Sequence, residues 1–318
     1  MAQAICLGEL LIDFVPTVTG TGLVDAPAFI KAPGGAPGNV AVGLARLGIE
    51  SAFMGKVGDD AFGHFLADTL TQTGVDVGPL CFSSEARTAL AFVSLRADGE
   101  REFMFYRHPS ADMLFTPHDV DVQAIQRAKL LHFGSISLIS EPSRSATLHA
   151  VEAARTAGCL VSYDPNLRLP LWSDAGAARE GMLLGMKKAH LVKLSDDESV
   201  FLTGLSDVRA ACKALWHDDL KLMVVTRGRG GCVYITPDFS GEVSSFTVDA
   251  VDATGAGDGF VAGLLQGVLS DPAVIQDEAR LRELCRFANA VGALATTQRG
   301  AIPALPDRAR VLEFLRGQ

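Results

Sequence analysis

No run of apolar residues in this 318-residue chain approaches the 18 or so that a membrane-crossing helix needs. No basic run exceeds a few residues, and the net charge is −9, so a nucleic-acid-binding surface is not indicated. The six cysteines are scattered without a Cys-x-x-Cys, and the seven histidines show no zinc spacing. Several cysteines lie in apolar stretches such as Ala4-Ile-Cys-Leu, which predicts reduced core thiols and a cytoplasmic protein. The N-terminus has no basic-then-apolar leader. Gly-x-x-x-x-Gly-Lys-[Ser/Thr] is absent, so a P-loop nucleotide fold is not expected. Aromatics are sparse at 7%.

What is present is a 48% hydrophobic composition with 32 glycines, enough for one large α/β core or two unequal ones. Short apolar strands alternate with amphipathic helices. Strands are predicted at Ala4–Leu10, Ala52–Val57, Lys129–Phe133, Leu160–Asp164, His190–Leu194 and Leu222–Thr226. Helices are predicted at Asn39–Leu47 and Ala61–Thr73, closed by Gly48 and Gly74. Buried strands separated by helices imply a largely parallel sheet covered on both faces. Residues 12–33 and 86–117 break the pattern. The first holds Pro16, Pro27 and Pro33; the second alternates through Thr88–Leu95, turns at Ala97-Asp-Gly-Glu, and alternates again from Arg101 to Arg107. Together they predict a small antiparallel flap, with extra edge strands on the main sheet as the alternative.

The most informative segment is Asp252-Ala-Thr-Gly-Ala-Gly-Asp258. A β-branched stretch, 246–251, precedes it, and Phe260, Val261, Leu264, Leu265, Val268 and Leu269 follow at helical spacing. The glycines are thus expected where a strand turns into a helix, with unpaired N–H groups open to an anion and Asp258 beside them as a proton acceptor. That arrangement suits phosphoryl transfer to a hydroxyl. A helix N-terminus would lower the Asp258 pKa and leave a weak base. A tight turn followed by an Asp that favours the helix dipole satisfies the same residues. Gly34-Gly-Ala-Pro-Gly-Asn39 opens the second helical segment, where Asn39 either caps the helix or offers its amide to a polar ligand. Asp13, taken to lie just past the first strand, is placed to accept hydroxyls of a polyol, or is a solvated loop residue. Thr226-Arg-Gly-Arg-Gly-Gly231 reads equally as a phosphate-contacting loop or a hairpin turn. Asp164–Arg168 and Lys193–Glu198 sit at strand ends and face the same crevice; Glu198 could hold Mg²⁺ through water, and Ser195 fits a capping box with Glu198.

Together these motifs resemble the ribokinase-like, or phosphofructokinase-B, family of sugar kinases. The resemblance runs from Gly8-Glu-Leu-Leu-Ile-Asp13 to Arg299-Gly-Ala-Ile-Pro303, and within the family it is nearest to plant-type fructokinases. Phe14-Val-Pro, Lys31-Ala-Pro-Gly-Gly-Ala-Pro37, Arg101 to Leu114 and Tyr163 to Trp172 carry that nearer likeness. It implies a Rossmann-like αβα sandwich with a mostly parallel sheet, formed by 1–11, 34–85 and 118–318, and a β-sheet lid formed by 12–33 and 86–117. It implies ATP-dependent conversion of D-fructose to fructose 6-phosphate. Asp258 would be the base, and the N–H groups of Gly255, Ala256 and Gly257 the anion hole. Asp13, Gly35, Asn39, Arg107, Glu141 and Arg168 would meet the sugar; Lys193, Thr226, Gly228, Gly231 and Asn289 the nucleotide. Mg²⁺ would sit near Glu198, and an activating K⁺ near Asp252, Thr254, Ala295 and Gly300. A sugar, ATP and a second copy of the chain joined through the lid are the implied partners, with no nucleic acid and no membrane. Three positions depart from the family pattern. Ala253 stands where Thr is more frequent, Ser195-Asp-Asp-Glu198 replaces Asn-x-x-Glu, and Ala304 stands where some relatives have Ser. The rival readings are a 2-keto-3-deoxygluconate kinase on the same fold and a non-catalytic family member used as a scaffold.

Overall fold

The structure is a computed structural model that describes residues 2–18, 20–95 and 101–318. The turn expected at Ala97–Glu100 lies outside the described residues. In chain order the strands are β1 (Ala4–Leu7), β2 (Leu11–Pro16), β3 (Phe29–Gly34), β4 (Ser51–Gly58), β5 (Leu80–Ser83), β6 (Ala89–Leu95), β7 (Arg101–Tyr106), β8 (Leu130–Phe133), β9 (Leu160–Tyr163), β10 (Leu191–Ser195), β11 (Leu222–Thr226), β12 (Cys232–Ile235) and β13 (Ser240–Val243). The helices are α1 (Ala36–Arg46), α2 (Ala61–Gln72), α3 (Val122–Arg127), α4 (Ser143–Thr156), α5 (Ala175–Met186), α6 (Asp196–Thr203), α7 (Val208–Leu215), α8 (Ala256–Ser270), α9 (Glu278–Ala295), α10 (Ala301–Ala304) and α11 (Arg308–Arg316).

Nine strands form one sheet in the order β13-β12-β11-β10-β9-β8-β1-β4-β5. All its pairs are parallel except β11–β12 and β12–β13. Side chains alternate between two cores because strand periodicity is two. Ala4 and Cys6 of β1 join the core that contains α1, α8 and α9, while Ile5 and Leu7 join the core that contains α4 and α5. Leu222 and Val224, against Met223 and Val225, divide in the same way on β11. Both faces are therefore covered, as a parallel sheet requires. Five of the six cysteines are buried and all six are free thiols. No helix among the described residues is long and apolar enough to cross a membrane.

A second sheet stands apart, in the order β3-β2-β6-β7. Extra edge strands on the main sheet are therefore excluded. The pairs β2–β3 and β6–β7 are antiparallel, but β2 and β6 run parallel, contrary to the all-antiparallel expectation. The reason is connectivity: each antiparallel pair is a local hairpin, and the two hairpins meet strand to strand in the same direction. Phe14, Phe92, Phe29 and Tyr106 cluster on one face, with Phe14 against Phe62 of α2. The first strand, expected at Ala4–Leu10, is shorter than that: β1 ends at Leu7, and β2 begins at Leu11 in the other sheet.

Helices α1 and α8 cross closely. A Cβ added at Gly43 would lie 2.5 Å from the Cβ of Ala262, a separation that packed carbons never adopt. Filling a tight contact costs about 1–3 kcal/mol. Gly43→Val is expected to lose that amount in urea unfolding, and unchanged stability would mean the two helices do not touch there.

Candidate active site

The turn at Gly255 is built by backbone conformation. Gly255 is the N-cap of α8 with φ 79°, in the left-handed region, and a Cβ there would meet the Cα of Ala301 at 2.9 Å. Both conditions select glycine. Residues 246–251 are not a strand, contrary to expectation; β13 ends at Val243. The segment instead runs over the end of α9, where Thr296 O accepts from the N–H groups of Val251 and Asp252, and Phe246 packs edge-on against Phe314. Asp252 fastens the loop: one carboxylate oxygen accepts from Thr254 N and Oγ1, the other from Gly300 N at 3.0 Å.

Asp258 lies in the first turn of α8 and is buried. Its Oδ2 accepts a 2.8 Å hydrogen bond from Asn39 Nδ2. Asn39 is not a cap. Helix α1 starts three residues earlier, with Gly35 as N-cap and Pro37 in the first turn, because Pro is tolerated where no intrahelical N–H bond is made. Asn39 thus sits one turn inside α1 and points at α8. Its Oδ1 is buried with no partner. Burial raises the Asp258 pKa against the Asn39 bond, Lys193 and Arg168, which all act to lower it. The expectation of a lowered pKa is corrected: desolvation outweighs the Asn39 hydrogen bond and the two nearby cations.

Asp13 is likewise corrected in place. It belongs to β2 of the small sheet, with Ala32 and Ala91 as its neighbours across the strands. Its carboxylate covers Gly34, where an added Cβ would sit 2.1 Å from Oδ2. Burial pushes its pKa up to about 7; Arg168 opposes this, and Asp258 and Asp252 add to it. Gly35 has φ 108°, and its Cβ position is filled by the carbonyl of Glu9 at 2.4 Å. Arg168 bridges the two carboxylates electrostatically and lies over the Phe103 ring of β7 at 5.8 Å.

On the other side of Asp258, Lys193 on β10 pairs with Asp164 at 3.0 Å, both buried. Burial alone would lower the lysine pKa, but Asp164 and Glu198 more than offset it and hold the ammonium charged. Its Nζ lies 3.1 Å from where a Gly257 Cβ would be, directly against the first turn of α8. Lys193, Arg168, Asn166, Ser195 and Glu198 line a cavity of about 490 Å³. Ser195 and Glu198 form the expected capping box, and Glu198 also accepts from Leu167 N. Each Glu198 oxygen therefore accepts one backbone N–H and keeps a lone pair for a water. Among the described residues no three His, Cys, Asp or Glu side chains gather to hold a metal directly. This donor set fits a hydrated Mg²⁺ carried by phosphates and rejects a bare protein cage.

Thr226–Gly231 is the turn of the β11–β12 hairpin. Gly231 has φ 84°, and its Cβ position is occupied by Val243 O and Ser244. Asn289 on α9 donates to those same two carbonyls, so Gly231 and Asn289 form one wall; Gly228 lies exposed at the tip and Thr226 bonds Leu194 O. Arg107 follows β7 rather than lying in it, and forms a buried pair with Asp112. Glu141 is exposed and accepts from Ser145 N at the start of α4, which is its hydrogen bond in this structure. Glu9 and Asp112, both buried, carried no expected role. The available signal was an acid inside an apolar strand region, as in Gly8-Glu9-Leu10.

The model of the pfkB family carbohydrate kinases matches residues 1–308. The probable fructokinase-4 of Arabidopsis thaliana is 57% identical, over 98% of this chain and 96% of its own length. The crystal structure of a fructokinase with bound ATP from Xylella fastidiosa superposes with a TM-score of 0.91 at 36% identity, covering 100% of this chain and 99% of that one. A double mutant of a Vibrio cholerae fructokinase, with fructose, ADP and potassium ion bound, gives 0.89 at 38% identity, covering 99% and 98%.

The raised pKa of Asp13 makes a sign-definite prediction. An unfolded Asp titrates near about 4, and the folded one near about 7. Between those values the native state binds more protons, so this group's contribution is full below the unfolded pKa and is lost as pH rises through the folded one. Asp13→Asn should therefore melt at a higher temperature than the ligand-free parent at pH 8, and the gap should close by pH 4. A gap independent of pH would mean that Asp13 is not buried as described.

Proposed function

The chain belongs to the pfkB family of carbohydrate kinases, and from that membership and the site we propose that it transfers the γ-phosphoryl group of ATP to D-fructose, giving fructose 6-phosphate. That it is a sugar kinase follows from the family. The observation that carries the reading is the buried Asn39–Asp258 pair, which leaves an unpartnered amide oxygen on α1 beside a carboxylate of raised pKa in the first turn of α8.

In this reading the sugar lies between the small sheet and α1, with hydroxyls donating to Asp13 and to Asn39 Oδ1. Gly34 and Gly35 let the Asp13 carboxylate and the Glu9 carbonyl pack closely beside it, and Arg168 and Arg107 close its edge. Glu141, by its place in the family pattern, would complete the sugar site. The 6-hydroxyl donates to Asp258. Because burial raises its pKa, Asp258 takes that proton more readily than an exposed carboxylate would. As the O–P bond to the sugar forms and the bond to ADP breaks, charge on the transferring oxygens is met by the N–H groups of Gly255, Ala256 and Gly257 and by Lys193. Thr226, Gly228, Gly231 and Asn289 line the adenosine end. Mg²⁺, held through water by Glu198, would neutralise phosphate charge. K⁺ would sit behind Gly255 on backbone carbonyls of Asp252, Thr254, Ala295 and Gly300, the loops that Asp252 and Thr296 tie together. Ala304 offers no hydroxyl to it. The small sheet acts as the lid, and a cytoplasmic location belongs to the same reading. On that lid Val15 pairs with Ile30, both exposed, on the face that carries Asp13. The exposed pair supports a homodimer through the lids.

Two measurements test the chemistry. Asp258→Asn should lower kcat by at least about 10²-fold with fructose binding little changed; near-full kcat would remove Asp258 from the mechanism. Across a sugar panel, fructose should exceed 2-keto-3-deoxygluconate by about 10²-fold or more in kcat/KM, because Asp13 and Asp258 oppose an acid substrate. The phosphate should appear on O6 by phosphorus NMR. Equal turnover of the keto acid would sink the fructose assignment. For the dimer, Ile30→Glu should shift the mass from two chains to one in light scattering, and a parent that is already monomeric defeats the proposal.

A further inference from the structure

Glu9 is buried, lies in the link between β1 and β2, and is left without a task by the chemistry above. It stands where the chain leaves the large sheet for the small one. Its Oε1 accepts a 3.1 Å hydrogen bond from Ala36 N, at the point where the chain returns from β3 into α1. The first four N–H groups of a helix need outside acceptors. Gly35, the N-cap of α1, has no side chain to supply one. Glu9 supplies it from 27 residues away. The contact is tight on both sides, since the Glu9 carbonyl fills the Cβ position of Gly35.

The same turn then leads to the reacting groups. Gly35 O accepts from Asn39 N at 2.9 Å, and Asn39 Nδ2 donates to Asp258. Arg107 and Asp112, facing Glu9 from the return of β7, complete its surroundings. We propose that Glu9 is a positioning residue for phosphoryl transfer: as the remote cap of α1 it sets the Gly35–Asn39 turn, and through it Asn39 against Asp258 and the sugar. What matters is an acceptor atom rather than a charge. Burial pushes the Glu9 carboxyl up to about 7, opposed by backbone N–H donors and by Arg107, so a neutral acceptor already suits the site.

The inference rests on the reading of Asn39 and Asp258 given above, and the test separates the two. Turnover by the parent enzyme on a sugar panel tests that reading; the ratio of each variant to the parent, on whichever sugar is used, tests this one. Glu9→Ala should lower kcat/KM for the sugar by roughly 10²-fold, the effect of misplacing a reacting group by about 1 Å. The KM for ATP should stay within about twofold, because the nucleotide wall lies on other elements. Glu9→Gln, which keeps the acceptor, should restore most of the loss. Ala36→Pro removes the N–H donor at a helix position that accepts proline, leaves Glu9 in place, and should reproduce the Glu9→Ala defect. Parent-like sugar kinetics in Glu9→Ala, parallel losses for sugar and ATP, or a Glu9→Gln no better than Glu9→Ala would each overturn the proposal. Should Glu9→Ala not fold, the other two variants decide: a parent-like Ala36→Pro or an impaired Glu9→Gln overturns it.

Discussion

Helices α1 and α8 meet at Gly43 and Ala262, and one turn nearer their N-termini they meet again at Asn39 and Asp258. The two contacts are four residues apart on each helix, so a single close crossing serves both. The apolar contact lets the backbones approach, and the polar contact uses the approach. Asn39 and Asp258 share no strand, loop or neighbouring sequence. Their relation depends on packing density at a point where a methyl group more would force the helices apart. The glycine-rich turns before each helix come next in this order: both begin at a glycine of positive φ, and both are fitted against backbone of another segment.

The site is an electrostatic contrast inside an acidic molecule. Asp258 lies within reach of the charges of both Asp13 and Asp164, and desolvation raises each of the three carboxyls. Arg168 opposes this at Asp13, Lys193 at Asp164, and both at Asp258. An anion entering such a site finds its cations already partnered by carboxylates that hold their charge weakly. Rearranging those partners is easier than stripping a well-solvated ion pair, since the desolvation cost was met on folding. The helix N-terminus adds donors that move with the backbone and require no counter-ion.

Much of this was legible in the chain. The apolar four- and five-residue runs gave the parallel sheet because strands buried on both faces carry a strong, local signal. The Ser195–Glu198 box was readable because both partners are three residues apart. The glycines of the α8 turn were readable from the change of period after them. What was not legible depends on contacts distant in sequence. The broken pattern after residue 11 announced the flap, but nothing local says that the first strand stops at Leu7 and leaves Gly8-Glu9-Leu10 as a link. Asn39 reads as a cap because helix starts are judged by residue type, and here a glycine and a proline took that place. The Asp258 pKa was misjudged because the helix end is visible in sequence and burial is not.

The small sheet joins two hairpins by the parallel pairing of β2 with β6, Leu11 opposite Ala89. Between them in the chain lie α1, β4, α2 and β5, all of them parts of the large domain. The sheet therefore has no local nucleus beyond its separate hairpins, and closing it requires the intervening chain to be compact already. On a ribosome its second half emerges only after two helices and two strands of the main body. Any continuous piece of chain that holds the whole small sheet therefore carries two helices and two strands of the main body with it.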